Sequence, residues 1–339
     1  MTDIPLIRVN GLHGAIALLQ QFNAPIDRLL INAKLSPLIL HEPETLIPLK
    51  QMFHFMDSAA ATEGIAQFGL LAGQHTQIAK MGAFGRLLCH SPTLYDAIQT
   101  VVDLVCRYNS GDRVWLEYQG ETVWLCRRFT QKLDAEHPHA VHCSLIIMIH
   151  LVQLAAGIQW QPTEIHLTTV PVHGIHQIDL LSNATIQFNQ EKTAIAIPVS
   201  FLNLPIQTNS DYSQHQRDID YTILQSSDLN TSFLESLKQI IKNQLKQGYP
   251  SIESIAEILG ISVRTFQRQL SDKNLTYSCL IDQVRFEHSL TLLSNPFNKV
   301  ADIATEIGYR DAGNFTRAFK RWTGTSPKIY SIHHLHTRL

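Results

Sequence analysis

Arginine, glutamine and asparagine carry paired hydrogen-bonding groups that match the edges of nucleic-acid bases, whereas lysine, serine and threonine suit phosphate oxygens. Two short segments near the end of this chain are rich in these side chains. Turning successive residues by about 100° puts Val263, Phe266 and Leu270 on one face of residues 263–271. Arg264 and Arg268 fall opposite, with Gln267 and Ser271 alongside and Ser262 and Thr265 flanking. The same projection of residues 312–322 gathers Phe315, Phe319 and Trp322 on one face. Gly313, Arg317 and Lys320 lie opposite, flanked by Asn314, Thr316 and Arg321. A greasy face for packing and a face of Arg, Gln, Asn and Lys for contact is what a helix entering a major groove requires. The other possible role for such a face is solvation alone.

Other chemistries find less support. No nucleophile with a base, no paired carboxylates and no glycine-rich phosphate loop is visible, so catalytic residues are not expected. Gly82 and Gly85 are too close together for a phosphate loop and point instead to close packing. His137, His139 and His142 lie near one another among 17 histidines, which raises a metal- or heme-sensing alternative. Only Glu136 stands near them as a further ligand, so neither metal nor cofactor is expected. An enzyme tethered to a DNA reader is a third, weaker alternative. The five cysteines are odd in number and never form a Cys-x-x-Cys pair, which suits buried thiols in a reducing compartment.

The two polar faces must be positioned, and a repeat does this. Ile255, Ala256, Leu259 and Gly260 recur as Ile303, Ala304, Ile307 and Gly308. In each copy the apolar pair four apart makes a buried face, and the alanine lets a second helix cross closely. The glycine can leave the helix at positive φ. A short turn and a second helix follow, so each copy is expected to be a helix-turn-helix. Between them, residues 277–293 predict a long helix with Leu280, Ile281, Val284, Leu290 and Leu293 apolar. It stops at Ser294-Asn295-Pro296, and Asn298 is placed to cap the next helix. A rigid spacer of this kind would hold two reading helices roughly 34 Å apart, one turn of DNA. Helices at 233–246, 252–259 and 299–307 complete an all-α domain over 231–332, with His333, His334 and His336 in a tail beyond it.

The first two-thirds of the 339 residues read differently. Apolar spacing predicts helices at 12–21, 25–33, 49–61 and 65–74, another opening at Ser91-Pro92, and a long one at 141–156. Period-two patterning predicts a hairpin of 113–118 with 122–129 around Gln119-Gly120-Glu121, and strands at 164–169, 185–188 and 194–197. The fold class is therefore α+β: a mixed α/β domain over 1–205, a polar linker over 206–230 with some helical pattern, then the all-α domain. Charge divides along the same line. Residues 231–339 hold 14 Lys/Arg against 9 Asp/Glu, a net of +5, and the remainder nets −7. A basic domain on an acidic body suits contact with phosphate by one part only. The opening residues lack a basic stretch followed by an apolar run, so no signal peptide is expected. The apolar stretch 145–158 is too short for a bilayer and carries His150 and Gln153, so neither a membrane span nor a membrane partner is expected.

Residues 301–330 bear a more specific pattern. Ile303-Ala304 leads after three residues to Gly308-Tyr309. Then come Phe315, Arg317, Phe319-Lys320, Gly324, Ser326-Pro327 and Tyr330 at fixed intervals. This resembles the signature of AraC/XylS-family transcription regulators, and the likeness covers about 100 residues. The resemblance implies two helix-turn-helix units joined by a long helix. It also implies double-stranded DNA as partner, an activator working with RNA polymerase in the cytoplasm, and no enzymatic activity. Carried over position by position, the base-reading face falls on Arg264, Gln267 and Arg268, then on Gly313, Asn314 and Arg317. Gly313 departs from the family's usual polar residue, which leaves the second unit either a base reader or a phosphate clamp. Upstream, Gly82-Ala83-Phe84-Gly85 and Ser91 to Ile98 followed by a hairpin are similar to arabinose-binding-type sensor domains, such as those of regulators of ornithine use. That likeness covers about residues 20–205. It implies a small-molecule effector, with pocket residues unassigned, and a surface for pairing with a second copy. A jelly-roll cupin is not expected, because helices come first.

Overall fold

The computed structural model describes residues 4–130, 137–206, 212–225, 233–245, 248–259, 261–295 and 298–336, the last five by backbone alone. The chain divides into two compact units, one of Pro5–Asn230 and the other of Thr231–Leu339 with Met1–Ile4.

In the first unit β1 (Leu6–Arg8) is followed by α1 (His13–Gln21), α2 (Ile26–Asn32), β2 (Leu46–Pro48), α3 (Leu49–Glu63) and α4 (Phe68–Gln74). β1 and β2 pair antiparallel, Ile7 against Ile47. Next come α5 (Gly82–Cys89), α6 (Leu94–Tyr108), β3 (Asp112–Gln119), β4 (Thr122–Phe129) and α7 (Pro138–Ala156). β5 (Glu164–His166), β6 (Thr185–Gln187), β7 (Thr193–Pro198) and α8 (Gln214–Gln225) complete the unit. The main sheet has the order β3-β4-β7-β5-β6, antiparallel except where β5 and β6 run parallel. The expected hairpin is β3 and β4, turning through Gly120 at φ 59°, with Gln119 opposite Thr122. Val123, Leu125, Ile195 and Ile197 belong to the main core, which α7 shares through Leu145, Ile146, Ile149 and Val152. Trp124, Cys126, Ala194 and Ala196 form a second small cluster. This period-two division is what alternating side chains on a strand require.

Several expectations change here. The helix expected to be capped by Ser91 is capped by Thr93, two residues on. Thr93 Oγ1 accepts from the Asp96 amide while the Asp96 carboxylate accepts from the Thr93 amide, a reciprocal capping box. Ser91 instead donates to the carbonyl of Leu87 at 3.0 Å. The apolar stretch expected to be short belongs to a 19-residue helix, α7, which begins at Pro138. It alone among the described residues is long and apolar enough to cross a membrane, and it lies in the core of this unit. Gly85 does mark close packing, since a Cβ there would stand 1.8 Å from the Ile78 carbonyl oxygen.

The expected linker over 206–230 is not free chain where it is described. α8 packs on α5 and α6. Arg86 holds the fully buried Asp220 through two bonds, at 2.6 and 3.0 Å. Tyr212 also donates to Asp220, and its ring stacks on His90. Arg8 donates to the Ile223 carbonyl, and Leu224 is buried. A polar sequence can dock in this way because its carboxylate and its apolar residues fall on one helical face. Residues 207–211 and 226–230 lie outside those described.

The second unit is all helix: α9 (Phe233–Leu245), α10 (Ile252–Leu259), α11 (Val263–Ser271), α12 (Tyr277–Leu293), α13 (Val300–Glu306), α14 (Ala312–Thr323) and α15 (Pro327–His336). α15 corrects the expectation of a tail, because its helical backbone takes in His333, His334 and His336.

Candidate nucleic-acid interface

Two helix pairs, α10 with α11 and α13 with α14, flank the long helix α12. In the first pair Ile255, Ala256 and Ile258 are buried beneath Phe266 and Leu270. Ser262 caps α11, its hydroxyl accepting from the Thr265 amide at 3.2 Å. In the second pair Ile303, Ala304 and Ile307 are buried in one cluster with Phe315 and Phe319, and Asp311 caps α14 by accepting from the Asn314 amide at 2.7 Å. Trp322 is only half-buried and packs edge-on to Phe286 and Phe319, at the rim of this core rather than its centre. Gly308 takes φ 77°, and a Cβ there would come within 3 Å of the carbonyl oxygens of Leu245 and Gly248. Position 308 therefore needs glycine for both conformation and space. Its counterpart Gly260 lies outside the described residues.

Arg264, Gln267, Arg268, Gly313, Asn314, Arg317, Lys320 and Arg321 are all exposed, as is Ser262, while Thr265 and Thr316 are half-buried. The two faces differ in how free their side chains are. Among the described residues the Arg264 and Arg268 guanidinium groups have no ion-pair partner, and they stand one helical turn apart on α11. On α14 the Asn314 amide donates to Asp311, and Arg317 donates to the Asn314 side-chain oxygen at 2.5 Å. Arg321 is bonded to Asp282 of α12 at 2.9 Å. A Cβ at Gly313 would meet only Asp311 Oδ1, at 3.1 Å, so close packing does not demand glycine there.

The spacer contributes a residue that the sequence reading overlooked. Arg285 is buried on α12, where Nε donates to the Ile307 carbonyl at 3.0 Å and a terminal nitrogen donates to the Gly308 carbonyl at 2.7 Å. Its guanidinium lies 4.2 Å from the Tyr309 ring centre and 5.1 Å from that of Tyr249. These bonds satisfy carbonyls at the end of α13 and clip the turn of the second helix pair to the spacer. The signal was present in the sequence as a charged residue on the face shared by Ile281, Val284 and His288. Asn298 does not cap the following helix. It donates to the Leu292 carbonyl at 2.9 Å and closes the end of α12, while Lys299 takes the N-cap position without a side-chain bond.

The histidines considered as metal ligands turn to three separate partners. His137 pairs with Asp57 at 2.7 Å, the Gly69 amide donates to His139, and His142 meets Thr169 at 3.0 Å. Among the described residues no three His, Cys, Asp or Glu side chains are grouped to hold a metal ion.

Against known families, residues 24–206 match the arabinose-binding N-terminal domain of AraC transcription regulators, and residues 255–331 match a helix-turn-helix domain. The chain belongs to the AraC family of transcription regulators. Its full-length relatives include the ornithine utilization regulator of Pseudomonas aeruginosa, 22% identical over 96% of both chains. The regulator VirS of Mycobacterium tuberculosis is 21% identical over 96% of both. Over 26% of this chain and 27% of its own, the P. aeruginosa regulator VqsM is 34% identical. The AraC-family assignment makes this chain a transcription regulator rather than an enzyme. It also makes the two helix pairs the helix-turn-helix units of a DNA-binding domain.

Proposed function

We propose that this AraC-family protein is an effector-controlled activator, which inserts α11 and α14 into successive major grooves on one side of double-stranded DNA. The observation that carries this reading is the exposure of Arg264, Gln267 and Arg268 on α11, opposite the buried Phe266 and Leu270, in a helix-turn-helix repeated at α13–α14. Arg268 and Gln267 read base edges, Arg264 supports them, and Ser262 and Thr265 meet phosphate at the helix start. The second unit leans toward holding the backbone, because Gly313 offers no side chain and the Asn314 amide is engaged by Asp311. There Arg317 is the base reader, with Thr316, Lys320 and Arg321 on phosphates. The first unit senses a small molecule and pairs two copies, and the protein recruits RNA polymerase in the cytoplasm. Enrichment of sites from random duplex DNA, followed by footprinting, tests the interface. Protection of two segments about one turn apart is expected. Protection of a single segment, unaltered by Arg317→Ala, would remove α14 from the interface.

A further inference from the structure

Helices α5, α6 and α7 and strands β3 and β4 help to enclose a cavity of about 110 Å³ in the first unit. Most of its wall is apolar, with Met52, Phe84, Leu88, Val105, Met148 and Leu151 among the lining residues. Polar groups in its lining include Tyr108, Asp112, Arg127 and Ser144. Arg127 donates to Asp112 at 2.9 Å and to the Ser144 hydroxyl, and its guanidinium lies 4.1 Å from the centre of the Phe129 ring. Tyr108 stacks on Phe84 at 4.8 Å between ring centres, and its buried hydroxyl has no hydrogen-bond partner among the described residues.

Three features define an occupant. An apolar protein cavity of roughly 150 Å³ takes benzene, so this smaller one holds no more than a single small ring. Arg127 is already neutralised by Asp112, so an ammonium or carboxylate group would enter as an extra buried charge. The Tyr108 hydroxyl can both donate and accept, and a single hydroxyl or carbonyl on the occupant would satisfy it. A sugar, with a hydroxyl on nearly every carbon, would leave most of them unpaired against this wall.

We propose that this cavity is the effector site, that it takes a small uncharged molecule with an apolar body and one hydroxyl or carbonyl, and that α8 carries the signal. The inference rests on the reading that the first unit senses an effector. The route is short. Phe84 and Leu88 of α5 line the cavity, and Arg86 between them holds Asp220 of α8. Val101 and Val105 of α6 line it too, and α8 also packs on α6. α8 is the last described element of this unit, so a shift of α5 or α6 is passed to the segment preceding the DNA-binding domain.

Calorimetry and thermal melting of the full chain with phenol, benzene, benzoate, benzylamine and glucose test the assignment. Phenol should bind and raise the melting temperature, benzene should bind more weakly, and the two charged compounds and glucose should not bind. Tyr108→Phe should weaken phenol about 10-fold and leave benzene unchanged. Arg86→Gln should keep phenol binding but abolish the effect of phenol on affinity for the footprinted DNA. Failure of both phenol and benzene to bind would overturn the cavity assignment, as would phenol binding that Tyr108→Phe does not alter. Stabilisation by benzoate, benzylamine or glucose instead would overturn it too while leaving effector sensing intact. Phenol that binds but leaves DNA affinity unchanged would spare the cavity and defeat the sensing reading.

Discussion

An exposed arginine on a reading helix contributes according to what already holds it. Arg268 has no ion-pair partner among the described residues, whereas Arg321 is tied to Asp282 at 2.9 Å. Arg268→Ala should therefore lose about 1–3 kcal/mol on the selected site and little on random duplex, measured by fluorescence anisotropy at one salt concentration. Equal losses on both would make Arg268 a phosphate contact. Arg321→Ala should weaken both duplexes alike, its exposed bridge being worth at most about 1 kcal/mol to the fold. His142 is a different case. Burial, and then the charge of nearby His139, hold its pKa down at about 4. Above pH 6.5 the ring is neutral in folded and unfolded chains alike. Below that the unfolded chain takes up a proton that the folded one refuses, so stability falls as pH drops from 6.5 toward 4, by about 3 kcal/mol in all. Replacing His142 with Gln should flatten that part of the pH–stability curve in urea titrations. An unchanged slope would show that His142 does not cause it.

For the elements, the joints matter more than the individual helices. Their boundaries in the second unit were legible because the signals are local: an apolar face of helical period, a glycine at the exit and a proline past the end of the spacer. The predicted spans 252–259, 263–271 and 277–293 coincide with α10, α11 and α12. The joint between α12 and α13 was not legible, because it depends on Arg285 reaching carbonyls more than twenty residues away. Arg285→Lys keeps the charge but loses the planar fork, and should cost about 2 kcal/mol in denaturant melts. It should also weaken DNA binding by loosening the second unit. Phe319 is fully buried where Trp322 is not. Phe319→Ala should therefore cost about 3–5 kcal/mol and Trp322→Ala less, an order that melting of the two variants checks directly.

At the scale of the whole molecule, charge and contacts both separate a DNA-binding unit from the rest. A fragment of residues 231–339 contains both helix-turn-helix units and the spacer. It should fold alone and prefer the site footprinted by the full chain. Its affinity should fall linearly with salt on logarithmic axes, because each phosphate contact releases condensed counterions. The full chain should bind more tightly if the first unit pairs two copies, since the second reader then arrives at high effective concentration. Gel-shift titrations over a salt series, run beside sedimentation of the full chain, test both expectations. A folded fragment with no preference for the site would defeat this division of labour.

By itself the sequence determined the helix-turn-helix unit, because such a unit is built from neighbours within some twenty residues and its exposed polar face follows from helical periodicity. It also determined that Gly82 and Gly85 mark close packing and that residues 113–118 and 122–129 fold back as a hairpin. Tertiary structure decided what depends on distant partners. Three histidines close in sequence went to Asp57, Gly69 and Thr169. A polar segment expected to be a linker docked through Asp220 onto Arg86, 134 residues earlier. Sheet order set β7 between β4 and β5, and the cavity exists only where four helices, α3, α5, α6 and α7, close over β3 and β4. Periodicity shows which side of an element is apolar. Which apolar sides meet, and what space they leave between them, is settled only when the whole core packs.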